Sequence, residues 1–148
     1  MSVDYNIYIW NHEPSFVIKA CLEEILNCPL KVGDQYWEAY STKLLGLSIE
    51  LFKEDEVDLK DRDETYPAFY HFPYRISVDY VRGDLQRQLG WDWRHLSSMI
   101  IANMLSARLR CKCVAVVDGI ALAEFEPVGD SDEISVNFVT PYQGPGDA

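Results

Sequence analysis

Basic side chains are scarce in this 148-residue chain: 13 lysines and arginines stand against 24 aspartates and glutamates, a formal charge of -11. A surface of that sign repels a phosphate backbone, which argues against nucleic acid as a partner. Long apolar runs are missing as well. None approaches the roughly 18–20 residues of a membrane span, and the opening MSVDYNIYIW lacks the basic start and unbroken apolar centre of a secretory signal. A soluble, cytoplasmic protein without membrane contact is the expectation. G-x-G-x-x-G, the P-loop and H-E-x-x-H are also absent, so nucleotide, phosphate and metalloprotease chemistry lose their usual support. The three histidines, His12, His71 and His95, fall in separate segments, and no serine or cysteine stands in a nucleophile context.

Cysteine is sparse. Cys21, Cys28, Cys111 and Cys113 lack the C-x₂₋₄-C knuckle of a zinc site, and they read as free, packed thiols in a reducing compartment. Asp58, Asp61 and Asp63 do not make a calcium loop, because no glycine follows them to form the turn. No metal or other cofactor is expected.

What the chain does have is apolar and aromatic residues, 48% and 13% of the total. At this length such a chain buries roughly 68–70% of its unfolded surface, enough for one ordinary core. Residues 1–140 are expected to form a single domain, with 141–148 as a flexible tail. Val3 to Trp10 alternate with the period of two that marks a strand. Val17, Ile18, Cys21, Leu22, Ile25 and Leu26 recur at helical spacing between Pro14 and Asn27, predicting a helix over 14–27. A second strand is predicted over 44–52, with Leu45, Leu47, Ile49 and Leu51 on one face, and a third over 74–81. Asp92 is a candidate cap for a helix over 92–110 whose apolar face would hold Leu96, Met99, Ile100, Met104, Leu105 and Ala107. Strands over 113–117 and 120–125 flank the hairpin signal Asp118-Gly119, and a last strand is placed at 133–138. The order strand, helix, strand, strand, helix, strand predicts an α+β fold, a ferredoxin-like split βαβ sandwich (βαββαβ) with a β-rich C-terminal extension.

In that sandwich one sheet face lies away from the helices. The alternation sends Tyr8, Trp10, Glu50, Phe52, Arg75 and Asp79 to it, where they are covered by the C-terminal extension or left free for a partner or a second copy of the chain. The excess charge is localised. Residues 53–64 carry a net charge of -4, and residues 113–148 hold seven acids and no base. The first of these runs leads directly into an aromatic stretch of Tyr66, Phe69, Tyr70, Phe72 and Tyr74. Aromatics anchor interfaces and acids orient basic partners. Glu54, Asp55, Glu56, Asp58, Asp61, Asp63, Glu64, Tyr66 and Tyr70 are therefore the expected contacts for a basic protein. The plainer reading is a solvated loop whose aromatics plug the sheet edge.

Size, charge, α+β order and the lack of catalytic motifs together resemble the small acidic immunity proteins of bacterial polymorphic-toxin and contact-dependent growth-inhibition systems. The resemblance implies a non-catalytic cytoplasmic inhibitor that binds and blocks a basic toxin domain, such as a nuclease. Two other functions fit the same composition. One is a ferredoxin-like module that senses a small ligand or oligomerises; the other is an enzyme using His71 or His95 with a carboxylate as acid and base.

Overall fold

The alternation after Val3 produces the central strand of the sheet, β1 (Tyr5–Ile9), whose Tyr5, Ile7 and Ile9 point into the main core. The computed structural model describes residues 3–33, 39–54, 59–60, 67–82 and 92–139. After β1 come α1 (Ser15–Leu26), β2 (Lys31–Val32), β3 (Ala39–Leu44), β4 (Leu47–Lys53), a 3₁₀ turn (Ala68–His71), β5 (Tyr74–Tyr80), α2 (Trp93–Leu109), β6 (Cys113–Val117), β7 (Ile120–Pro127) and β8 (Ile134–Phe138). The fold is α+β. Among the described residues, one eight-stranded sheet runs in the order β2-β3-β4-β5-β1-β6-β7-β8, and every neighbouring pair is antiparallel. None of the described helices is long and apolar enough to cross a membrane.

Helices α1 and α2 pack on the same sheet face. Ile18 and Leu22 of α1 and Ile101, Ala102 and Leu105 of α2 share one core with Ile7, Ile49, Leu51, Ile76, Val78 and Ala115. Asn27 ends α1 in the left-handed region at φ 52°, and the Cys28 amide donates to the Glu23 carbonyl, as the Asn-Cys-Pro sequence suggests.

Three expectations are corrected. The predicted strand over 44–52 is the second arm of a hairpin: Leu45 and Gly46 form a two-residue turn at φ 52° and 78°, Leu45 is exposed, and β3 precedes it. The described part of the C-terminal extension is not laid across the second face as strands; β7 and β8 lengthen the sheet in its own plane. The face of α2 is also rotated from the predicted one, since Leu96 and Ile100 are exposed while Arg94, Ser97, Ser98, Ile101, Ala102, Leu105 and Ser106 are buried. Small side chains let the helix settle close to the sheet. Two of the serines bond to nearby carbonyls, Ser97 to Trp93 and Ser106 to Cys111, each at 2.8 Å.

Ser98 is different. Its buried hydroxyl finds no hydrogen-bond partner among the described residues. Alanine there removes an unsatisfied group and favours the helix, so Ser98→Ala is expected to stabilise the protein by about 1 kcal/mol. A higher urea midpoint at unchanged m-value is the readout, and a lower midpoint would mean that the hydroxyl is in fact bonded.

Candidate partner-binding groove

Only part of the second sheet face is exposed. Tyr8 points there but is 5% exposed, packed with Phe69, Phe72, Val114 and Val116 in a second small core. The segment that covers it is the 3₁₀ turn, held by ring contacts of 5.1 Å between Tyr8 and Phe69 and 5.6 Å between Tyr8 and Tyr70. Phe69 and Phe72 are therefore core residues, and Tyr74 lies fully buried in the main core on β5. Tyr70 is half-buried at the margin, its hydroxyl close enough to the Asp118-Gly119 turn that a Cβ at Gly119 would stand 3.0 Å from it.

Toward the other end of this face the side chains are polar and paired. Arg75 donates from Nε to Glu54 Oε1 at 3.1 Å and from an Nη to Asn6 Oδ1 at 3.0 Å, while its guanidinium covers the Phe52 ring at 4.7 Å. Glu54 is thus turned toward the sheet, its side chain 14% exposed. Glu50 and Asp79 are exposed, as expected for the second face.

Where the covered and polar parts meet, three segments converge. The Trp10 amide donates to the Lys112 carbonyl at 2.9 Å, extending the β1 pairing by one residue. The Tyr74 hydroxyl donates to the Glu13 carbonyl, and the Glu54 amide to the Pro73 carbonyl at 2.7 Å. These bonds frame a groove of about 430 Å³ lined by Trp10, His12, Glu13, Lys53, Leu59 and His71, with Glu54 and Tyr74 at its base. Trp10 is 45% exposed and is held on one side by Phe72 at 5.2 Å and on the other by the edge of His12 at 4.7 Å. An exposed indole beside carboxylates suits the stem and charge of an arginine or lysine, which gains from the ring face as well as from the acids.

Of the nine residues predicted as contacts, Glu54 and Tyr70 are described, and they lie at the base of the groove and on the flank of the second core. Asp55, Glu56, Asp58, Asp61, Asp63, Glu64 and Tyr66 lie outside the described residues. Trp10, His12 and Glu13 were not among the predicted contacts. The alternation of β1 does place Trp10 with Tyr8 on the second face, but no signal in the sequence singles it out as a contact, and His12 and Glu13 lie past the end of the strand.

A second polar cluster sits at the opposite end of β1. Arg94, 4% exposed, grips Asp92 through Nε at 3.0 Å and an Nη at 2.9 Å, and reaches Asp79 at 3.1 Å and the Val3 carbonyl at 2.6 Å. Its guanidinium lies over the rings of Tyr5 and Tyr80. Burial opposes ionisation of Asp92, but hydrogen bonds from Arg94 and Tyr80 outweigh it and hold the carboxyl below its usual range. Tyr5 is pushed up to about 12, first by burial and then by the Asp92 charge. The Asp92 carboxylate also accepts from the Arg94 amide, capping α2 as predicted. The cluster ties the start of β1, the end of β5 and the first turn of α2 together, which makes it a structural clamp. His95 belongs to its border, its ring edge-on to Tyr5 at 5.9 Å.

The four cysteines are free. A hydrogen bond between the Cys111 and Cys113 sulfurs lowers the first thiol and raises the second, and burial adds to the rise. Among the described residues no group of three or more His, Cys, Asp or Glu side chains is placed to hold a metal ion. Compared with protein-family models, curated proteins and solved structures, the chain matches none.

Proposed function

We propose that the protein is a non-catalytic, acidic inhibitor of a basic protein, of the kind that gives bacteria immunity to a toxin domain such as a nuclease, and that it acts in the cytoplasm. We further read β1, α1, β4, β5, α2 and β6 as a ferredoxin-like split βαβ unit. The sheet order β4-β5-β1-β6 supports this, since β5 lies between the two strands that α1 connects. The observation that carries the functional reading is the groove itself. It sets an exposed tryptophan beside Lys53, Glu54 and Leu59, which belong to a stretch, residues 53–64, whose net charge in the sequence is -4. The indole offers a contact of fixed position and the acids supply attraction at a distance.

On this reading a basic toxin domain is expected in a neighbouring reading frame, and the test uses that domain. Its affinity for the full chain is expected to fall at least tenfold between about 50 and 500 mM salt, because rim charges are screened. Combined reversal of Asp55, Glu56, Asp61 and Asp63 to lysine is expected to weaken binding by about 100-fold, chiefly through a slower association rate. Affinity indifferent to both salt and charge reversal would remove the reading.

A further inference from the structure

We infer that β8 is the contact edge of a homodimer, in which two copies of the chain join antiparallel through Ile134–Phe138 into one continuous sheet. The two ends of the sheet are built differently. At one end β2 has two residues, one of them Lys31, the short and charged edge that discourages pairing. At the other, β8 has five residues, and the run Ile134–Val139 contains no charge and no proline. Val136, Phe138 and Val139 are exposed, Phe138 by 62%.

The direction of its backbone groups follows from two bonds. Val128 donates to the Glu133 carbonyl, and the Val139 amide donates to Leu122, so the odd-numbered residues of this stretch face β7. The N–H and C=O groups of Ile134, Val136 and Phe138 consequently point away from the sheet. A two-fold axis at Val136 would pair Val136 with its own copy and Ile134 with Phe138 of the second chain. All three outward residues would then exchange hydrogen bonds in each chain, which is the self-complementary contact a symmetric dimer requires.

Side chains agree with that register. Opposed residues of an antiparallel pair share a face, so Phe138 of each copy would lie on the helix side beside Ile134 of the other. A groove of about 310 Å³ lies there, between α2 and β8, lined by Asn103, Met104, Ala107, Asp132, Ile134 and Val136. Leu96 and Ile100 continue the Met104–Ala107 stripe of α2 and are exposed among the described residues. Charge permits a second copy despite the overall -11. With the axis at Val136 the two Glu133 side chains are about six residues or 20 Å apart along the strands, and the nearest acids of opposite copies on the shared face, Glu133 and Glu124, are about 12 Å apart in this register, still beyond the screening length of about 8 Å.

Light scattering on the full chain at about 50 µM is expected to give twice the 17.0 kDa chain mass, and Val136→Lys, or independently Phe138→Asp, should halve it with the circular dichroism unchanged. Register is tested with Val136→Cys, where two thiols at the axis lose two electrons and two protons to diamide and form an interchain disulfide. At Ser135→Cys, which faces Asn137 of the other copy, the cross-link should be at least tenfold slower. A monomeric wild type would overturn the inference, as would a dimer that survives both charged variants or cross-links equally at 135 and 136. Trp10→Ala should leave the mass unchanged, so this test and that of the toxin groove fail separately.

Discussion

Replacing Arg94 with alanine is expected to lower the unfolding free energy by about 3–5 kcal/mol, the range for removing one partner of a buried ion pair. The size follows from what is left behind. Asp92 keeps its Tyr80 hydroxyl at 2.8 Å but loses both guanidinium bonds, while its side chain remains 15% exposed. The Val3 carbonyl loses a donor and the rings of Tyr5 and Tyr80 lose their cation. Asp79 contributes little, because its side chain is 67% exposed and water can take the place of the arginine. Lysine at 94 should restore only part of the loss, since one ammonium cannot reproduce a fork that binds both oxygens of a carboxylate. Urea midpoints at constant m-value measure all three proteins, and a loss below 1 kcal/mol for alanine would mean that Asp92 is solvated without the arginine.

The same cluster fixes how stability responds to pH. Asp92 is depressed in the folded state, so its contribution is complete above the unfolded carboxylate value near 3.9 and disappears as pH falls through the folded value. Tyr5 is raised to about 12; its contribution is complete below the unfolded value near 10 and is lost as pH climbs toward the folded one. Arg94→Ala should therefore flatten the acid limb of the stability profile and leave an alkaline limb, which Tyr5→Phe should reduce.

Two hairpins show what the sequence made legible and what it did not. Asp118-Gly119 and Leu45-Gly46 adopt the same conformation, with φ of 48° and 77° in one and 52° and 78° in the other. Both place glycine second, but only the first puts ahead of it a residue that tolerates a left-handed backbone; leucine at that position does not announce a turn. The missed turn hid β3 and made one strand of what is a strand and a half-hairpin. Helix α2 was misread for a related reason. Apolar periodicity points to Leu96 and Ile100, whereas the buried stripe is written largely in serine and alanine around one arginine, a pattern that hydrophobicity does not weigh. The alternation of β1 and the spacing of α1 were read correctly because each face carries large apolar residues at every expected step. At the candidate site, the acidic run was legible as charge and the 3₁₀ aromatics as anchors, but the division of those aromatics between a second core and an exposed rim depends on long-range packing against Val114 and Val116.

That division is what the last prediction tests. Trp10 and Phe72 touch each other at 5.2 Å, yet one is 45% exposed and the other 8%. Phe72→Ala empties a site enclosed by Tyr8, Val114 and Val116, and should cost about 3–5 kcal/mol of stability. Trp10→Ala removes a ring that already faces solvent, so its stability cost should stay near 1 kcal/mol, while affinity for the basic partner falls by at least about 2 kcal/mol, a factor of 30. Measured together, the two variants separate the rings that hold the sheet from the ring offered to a partner. Should both lose stability equally while binding stays intact, Trp10 would belong to the second core, and contact would have to rest on the acidic residues alone. Charges that act through solvent shift the association rate more than the lifetime of a complex.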